Sequence, residues 1–311
     1  MNFKPLLITA SLVFSLGAQT KPDLQGTWTN ATLTTLERPA RFAGKATLSA
    51  AEAAEDAKKD IESAQAQDGA SDGPIIAAAG SSGTGGYNVL FLDRGSQLAK
   101  VDGQFRTSLI VDPPDGKVPM GGTGARRPPA GGAGMARASF DTIKGRPISE
   151  RCLLGFGSTD GPPMLPVLYN NNYQIVQTPD TVMILVEMVH DVRVVRLNGT
   201  HPPADIKFWL GDSIGHYEGD TLVVDTTNFR PEVRFRGSSE NLHVVERFKR
   251  VDAKTLLYRA TVDDPTVFSK AWTVEYPFNA SDGPVYEYAC HEGNYAMTDI
   301  LGGMHPDAVK K

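Results

Sequence analysis

The sequence is poor in motifs that carry a fixed chemistry. Its 311 residues include only two cysteines, Cys152 and Cys290, so a CxxC redox motif and a four-cysteine zinc site are both absent. A nucleotide-binding glycine motif between a strand and a helix is absent as well, so no cofactor is predicted. The net charge is -5 with both signs interspersed, which argues against nucleic acid as a partner.

Apolar runs long enough to span a membrane are also missing. The run from Pro5 to Leu16 follows Lys4 and precedes small residues, which is the pattern of a signal peptide. We expect residues 1–19 to be that signal peptide, with a buried N-terminal helix as the alternative. Export to the periplasm or secretion follows from the first interpretation. In such a compartment the cysteines predict a Cys152–Cys290 disulfide, and two buried free thiols are the alternative.

Behind the signal peptide we predict a single β-rich domain over residues 20–311. Residues 45–150 form a helical insertion rich in glycine and proline, and residues 152–295 form the strand-rich core. A capping box at Ser49 and Glu52 starts the predicted helix of the insertion.

The core alternates β-branched and aromatic segments with turn residues. This pattern predicts a mainly β fold, an antiparallel β-barrel or sandwich. The predicted strands are YQIVQT, TVMILVEMVHDVRVVRL, DTLVVDTTNF, LHVVERFKRV, TLLYRATVDD, WTVEYPF and VYEYAC.

Alternation along the strands selects two polar residues for the inside, because successive side chains point to opposite faces. Glu246 lies on the apolar face of its strand. His190 shares its predicted face with four apolar residues, Val186, Met188, Val192 and Val194. The opposite face is expected to carry a solvated ladder of Glu187, Asp191 and Arg193. A buried carboxylate and a buried imidazole each require a partner, so they form either a structural pair or an acid–base site.

A second polar cluster follows the last predicted strand. His291 and Glu292 come directly after Cys290, so a disulfide would hold them at a strand end, where barrels place ligand contacts. An ordinary polar loop is the alternative. We assign substrate binding to ring-bearing and amide side chains on either side of the core: Asn171, Tyr173, Tyr286 and Tyr288.

These residues favour an exported enzyme that acts by acid–base chemistry on a small organic molecule in a barrel cavity. Glu246 and His190 are the predicted acid–base pair, and the supporting groups are His291, Glu292, Asp191 and His243. Hydrolase, lyase and isomerase chemistry all stay open. A metal site of histidines and carboxylates is a secondary hypothesis, because no two of these histidines stand at close ligand spacing. The alternative function is a periplasmic binding or carrier protein for a hydrophobic or glycosylated ligand.

Most of the chain after the signal peptide resembles an uncharacterised family of exported bacterial proteins. The matching strings include ERCLLGF, YNNNYQIVQTP, EMVHDVRVV, EGDTLVVDTTNF, ENLHVVERF and YEYACHEGNY. This resemblance implies export and carries over no functional residues. The chain also resembles lipocalin-like barrels through Gly26-Thr27-Trp28, which leaves open whether Trp28 belongs to the same barrel as residues 173–290.

Overall fold

The structure, a computed structural model, describes residues 21–69, 92–123, 142–155, 161–238, 240–290, 292, 293, 295, 298 and 299. The predicted signal peptide lies outside this range. The described chain has one α-helix, α1 (Ala50–Gly69), and thirteen strands. The strands are β1 (Gly26–Thr29), β2 (Thr47–Leu48), β3 (Lys100–Val101), β4 (Gln104–Arg106), β5 (Ile110–Asp112), β6 (Asn172–Gln177), β7 (Thr181–Val186), β8 (Val192–Leu197), β9 (Asp212–Glu218), β10 (Thr221–Thr227), β11 (His243–Arg250), β12 (Thr255–Asp263) and β13 (Trp272–Ala280).

Nine strands close into a barrel, as the strand pattern predicts. The order is β1-β6-β7-β8-β9-β10-β11-β12-β13, and β1 closes the ring because it pairs with both β6 and β13. Trp28 stands opposite Tyr173 on one side and Ala280 on the other. Trp28 therefore belongs to the main barrel, which answers the question that the sequence leaves open.

One pair of neighbouring strands is parallel, where the sequence predicts an all-antiparallel arrangement. Strands β8 and β9 run in the same direction, so the chain between them must cross over instead of turning back in a hairpin. This crossover, residues 198–211, lies against the segment that follows β10. Asn228 donates hydrogen bonds from Nδ2 to the carbonyl oxygens of Pro202 and Pro203, at 3.2 and 3.3 Å.

Aromatic side chains fill the barrel interior. The alternation on β11, β12 and β13 turns large rings inward, and the centroids of Tyr258 and Phe278 lie 5.0 Å apart. Burial of these rings supplies a large part of the apolar contact area of the core. The inward rings, each at most 1% exposed, include Trp28, Tyr173, Phe248, Tyr258, Tyr276 and Phe278.

The insertion matches its predicted helix. The backbone NH of Ser49 donates to the Glu52 carboxylate at 2.9 Å, which is one half of the capping box. Hydrogen bonds from Lys45, which has the larger effect, and from Ser49 lower the pKa of Glu52 to about 2. Strands β2, β4 and β3 form a small separate sheet next to α1, whereas β5 pairs with β13 of the barrel. No helix among the described residues is long and apolar enough to cross a membrane.

Two predicted strands need correction, and one observed strand was not predicted. The long segment TVMILVEMVHDVRVVRL is two strands, β7 and β8, joined by a turn. The segment VYEYAC, residues 285–290, is placed but pairs with no strand. Strand β9 is missing from the prediction because it carries polar residues and Gly215. A Cβ on Gly215 would lie 2.7 Å from Val195 Cγ1, so close strand packing requires the glycine there.

Candidate functional site

Glu246 faces the inside of the barrel, as alternation along β11 predicts, and its side chain is fully buried. Its partner is Arg193 on β8, whose Nη1 and Nη2 lie 3.1 and 2.5 Å from the two carboxylate oxygens. The Tyr258 hydroxyl donates to the same carboxylate at 2.8 Å. A bidentate ion pair with a further hydrogen bond satisfies a charge that burial alone would penalise.

The loop that carries Met164 covers this network. Met164 N donates to the Tyr258 hydroxyl at 3.0 Å, and the Met164 carbonyl accepts from Asn30 Nδ2 at 2.9 Å and from the Tyr276 hydroxyl. Burial, and then the charge of Glu246, raises the pKa of Tyr258 well above its ordinary value, so the hydroxyl stays a donor. The predicted barrel cavity is thus filled by side chains, and Glu246 belongs to the packed core.

The hairpin between β7 and β8 reverses the faces predicted for residues 187–194. Leu185 pairs with Val192 across the hairpin, so odd-numbered residues of β7 share a face with even-numbered residues of β8. Val192 and Val194 are therefore outside, 48% and 50% exposed, and Arg193 is inside. The prediction of Arg193 in a solvated ladder is wrong for this reason.

His190 is exposed outside the barrel, on the turn of this hairpin, so the prediction that it faces inward with Glu246 is wrong as well. Met188–His190 form a single 3-10 turn in which Val189 and His190 have φ of 61° and 52°. A β-branched residue such as valine rarely adopts this left-handed conformation. Such strained backbone is concentrated at functional sites.

The turn faces residues 284–290, which we call the C-terminal strap. His190 Nδ1 lies 2.9 Å from the carbonyl oxygen of Tyr288. A carbonyl oxygen only accepts hydrogen bonds, so Nδ1 is the nitrogen that carries the proton. In the neutral imidazole the lone pair is then on Nε2, which has no partner in the described part of the chain.

Glu187 anchors the strap from the same turn. Its side chain is buried, at 2% exposed, which corrects its predicted place in a solvated ladder. Oε1 accepts from the backbone NH of Tyr286 at 3.1 Å, and Oε2 accepts from Asn172 Nδ2 at 2.8 Å and Asn172 N at 3.3 Å. One carboxylate therefore joins the strap to strand β6.

Asp191 completes the group at the turn. Burial raises the pKa of this half-buried carboxyl group, and the neighbouring His190 opposes the shift. Its Oδ2 atom is buried and has no hydrogen-bond partner. A carboxyl group in this position favours its protonated form more than a solvated aspartate does.

The predicted disulfide is present and ends the strap. Cys152 and Cys290 are bonded, with their Cα atoms 6.0 Å apart. Glu292, just beyond, is exposed, and His291 lies outside the described residues. The disulfide therefore secures the strap that contacts His190. The predicted strand end for His291 and Glu292 is wrong, because residues 285–290 pair with no described strand.

A cleft of about 500 Å³ opens between the strap and the outer face of β1, β6 and β7. A second cleft, between α1 and residues 96–98, has a lining without histidine. Of the two, only the cleft beside the strap brings together predicted site residues. Its lining includes Gln174, Leu185, Glu187, His190, Val285 and Tyr286.

The predicted substrate-binding residues separate into two groups. Tyr286 is 66% exposed in the cleft, and Tyr288 supplies the carbonyl that His190 contacts. Asn171 is buried and bonds backbone groups, with Oδ1 accepting from Val167 N at 2.9 Å. Tyr173 is fully buried in the barrel core. The assignment of Asn171 and Tyr173 to substrate binding is corrected, because both side chains are used inside the fold.

His243 belongs to a different surface, on the outer wall of the barrel. Its Nε2 lies 2.9 Å from Asp225 Oδ2, and the other oxygen of Asp225 lies 3.0 Å from His201 Nε2. His201 Nδ1 lies 2.6 Å from Asp212, which also pairs with Arg196. His201 was not predicted, because the crossover that carries it has no strand periodicity.

Among the described residues, no three His, Cys, Asp or Glu side chains are placed to hold a metal ion. No family model, curated protein or solved structure matches this chain. The function is therefore argued from the cleft beside the strap.

The buried ion pair leads to the first prediction. Glu246→Gln leaves the Arg193 charge buried without a carboxylate, so we expect the free energy of unfolding to fall by roughly 3–5 kcal/mol. Glu218→Gln, at an exposed pair with Arg247, is the control and should leave the free energy of unfolding nearly unchanged. Denaturant titration measures both. Equal stability of Glu246→Gln and wild type would contradict a structural role for the pair.

The outer-wall network leads to a second prediction, on pH. The hydrogen bond to Asp225 raises the pKa of His243, and the bond to His243 lowers that of Asp225. The histidine contribution is complete below its ordinary pKa of 6.5 and is lost as pH rises through the folded value. The aspartate contribution is complete above its ordinary pKa of 3.8 and is lost as pH falls through the lowered value.

We therefore expect this network to stabilise the fold most between these two ordinary values. His243→Gln should reduce the stability lost between mildly acidic and alkaline pH, measured as the unfolding free energy at each pH. Other titrating groups are common to both proteins, so their contributions cancel when the loss of unfolding free energy in the variant is subtracted from that in the wild type. An identical loss in variant and wild type would show that the contact with Asp225 has no energetic role.

Proposed function

We propose that this protein is an exported enzyme that acts by acid–base chemistry on a small organic molecule bound in the cleft beside the strap. The observation that carries the proposal is the contact between His190 Nδ1 and the Tyr288 carbonyl oxygen at 2.9 Å. It orients an exposed imidazole and leaves Nε2 as a base at the edge of a cleft of about 500 Å³. A base held by a second group is the arrangement that general base catalysis needs.

In this proposal each group of the turn has its own role. His190 Nε2 takes a proton from the substrate or from a bound water. Asp191 is next to His190 in the chain, and burial raises the pKa of its carboxyl group, so we assign it a supporting role beside the imidazole. Glu187 is a positioning residue, since its oxygens are occupied by the backbone NH of Tyr286 and by Asn172. These roles serve a hydrolase, a lyase or an isomerase equally.

Export is part of the same proposal. The Cys152–Cys290 disulfide is the kind of bond that persists in an oxidising compartment such as the periplasm or the extracellular space. The signal-peptide pattern of residues 1–19 and the resemblance to exported bacterial proteins support it. The lipocalin-like character also stays a proposal, supported by Trp28 in the first barrel strand.

A carrier protein is the second candidate. The exposed Tyr286 ring at the cleft is the observation that favours it, because an aromatic side chain binds rings and sugars without any chemistry. A carrier would bind its ligand in this cleft and would release it unchanged.

The third prediction separates these two functions. The wild type is incubated with plant-derived and cell-envelope metabolites, and mass changes identify a converted compound. His190→Asn keeps a donor for the Tyr288 carbonyl and tolerates a positive φ, but it removes Nε2. We expect its kcat to fall by a factor of about 10²–10⁴ with an unchanged melting temperature.

His216→Gln is the matched control, since His216 is exposed on β9, is not in the cleft lining, and has its Nε2 3.1 Å from Glu218. It should keep full turnover. Full turnover by His190→Asn would contradict the proposal that this cleft is the active site. Binding without conversion, unchanged in His190→Asn, would identify the carrier.

A further inference from the structure

An apolar surface continues from the cleft onto the outer wall of the barrel. Two exposed valines of β8 stand opposite two residues of β7: Val192 pairs with Leu185, and Val194 pairs with Met183. Met183 in turn pairs with Val176 on β6, which is 37% exposed. All five side chains point away from the barrel core. We call this set, Val176, Met183, Leu185, Val192 and Val194, the outer ladder.

The outer ladder and the cleft share Leu185, which lines both. Neighbouring strands lie about 4.8 Å apart and alternate residues about 7 Å apart, so the ladder covers about 10 Å by 7 Å across three strands. His190 precedes Val192 by two residues, at the end of the ladder nearest the strap. A patch of this size is too small to mark a binding surface by itself, so its significance lies in its continuity with the cleft through Leu185.

The charges at the cleft select what can bind there. Glu187 and Glu287 are in the lining, and among the described residues the lining includes no lysine or arginine. An anionic group would meet carboxylates without a counter-charge, which is unfavourable. An uncharged or cationic group meets no such repulsion.

We propose that the substrate is an amphiphile without an anionic group, whose polar head lies at His190 and whose apolar tail lies along the outer ladder. The proposal rests on the proposed function for the position of the head. The tail position rests on the exposed valines and their continuity with the cleft.

The test measures binding of short amphiphiles below their micelle concentration. Hexyl, heptyl and octyl glucoside are the uncharged series, and octyltrimethylammonium and octyl sulfate supply a cationic and an anionic head. We expect the affinity for the glucosides to rise about fourfold with each added methylene. Octyltrimethylammonium should bind at least as well as octyl glucoside, and octyl sulfate should bind most weakly. Affinity that does not depend on tail length, or tightest binding of octyl sulfate, would overturn the proposal.

Matched variants place the tail. Val192→Thr combined with Val194→Thr keeps β-branched residues at exposed strand positions and should reduce the gain per methylene by at least half. Val251→Thr changes a valine that is 56% exposed elsewhere and should leave the gain unchanged. The same loss in both proteins would contradict the proposal. So would a dimer that the double variant dissociates, because a second copy would then cover the ladder.

Binding of the amphiphile and catalysis by His190 can be tested separately. His190→Asn should bind octyl glucoside like the wild type, because the tail contacts are intact. If it binds normally but also retains turnover, the catalytic role of His190 fails while the amphiphile proposal stands. If it loses turnover and the wild type shows no dependence on tail length, the amphiphile proposal fails alone.

Discussion

The hairpin between β7 and β8 decides which charged side chains enter the barrel and which reach the surface. Because Leu185 pairs with Val192, Arg193 points inward to Glu246, and the turn residues stay at the barrel end. A shift of one residue on β8 would move Arg193 to solvent and leave the Glu246 carboxylate buried without a counter-charge. The ion pair therefore acts as a check on strand register. A polar pair that costs desolvation can be retained in a core for this kind of specificity.

On the outer surface, side chains of the same turn bind backbone groups of the strap. The strap pairs with no strand in the described chain, and two of its backbone groups bind side chains of the turn instead. Glu187 binds the NH of Tyr286, and His190 binds the carbonyl of Tyr288. The disulfide holds the end of this segment. Two side-chain contacts and one covalent bond thus align the strap, and the imidazole is oriented as a consequence.

Alternation was sufficient to predict a mainly β fold, a barrel or a sandwich, and the inward position of Glu246, because both depend on the two-residue period of single strands. The disulfide followed from an even cysteine count in an exported chain. The position of His190 could not be predicted, since the run TVMILVEMVHDVRVVRL contains no glycine, proline or asparagine to mark its turn. Val189 and His190 adopt positive φ there against their preferences. His201 and the parallel β8–β9 pair were missed because the crossover contacts depend on tertiary packing and leave no periodic pattern.

The central claim is that the strap determines which ring nitrogen of His190 carries the proton. Nitrogen NMR of the imidazole tests this claim most directly. Two-bond ¹H–¹⁵N spectra, assigned with His190→Asn, distinguish the two neutral tautomers. We expect the proton on Nδ1 and the lone pair on Nε2 in the oxidised protein. Mild reduction of Cys152–Cys290 should free the strap and weaken this preference while the barrel stays folded. A proton on Nε2 in the oxidised protein would contradict the account, because the lone pair of Nδ1 would then face the Tyr288 carbonyl oxygen and the proposed base would have no lone pair.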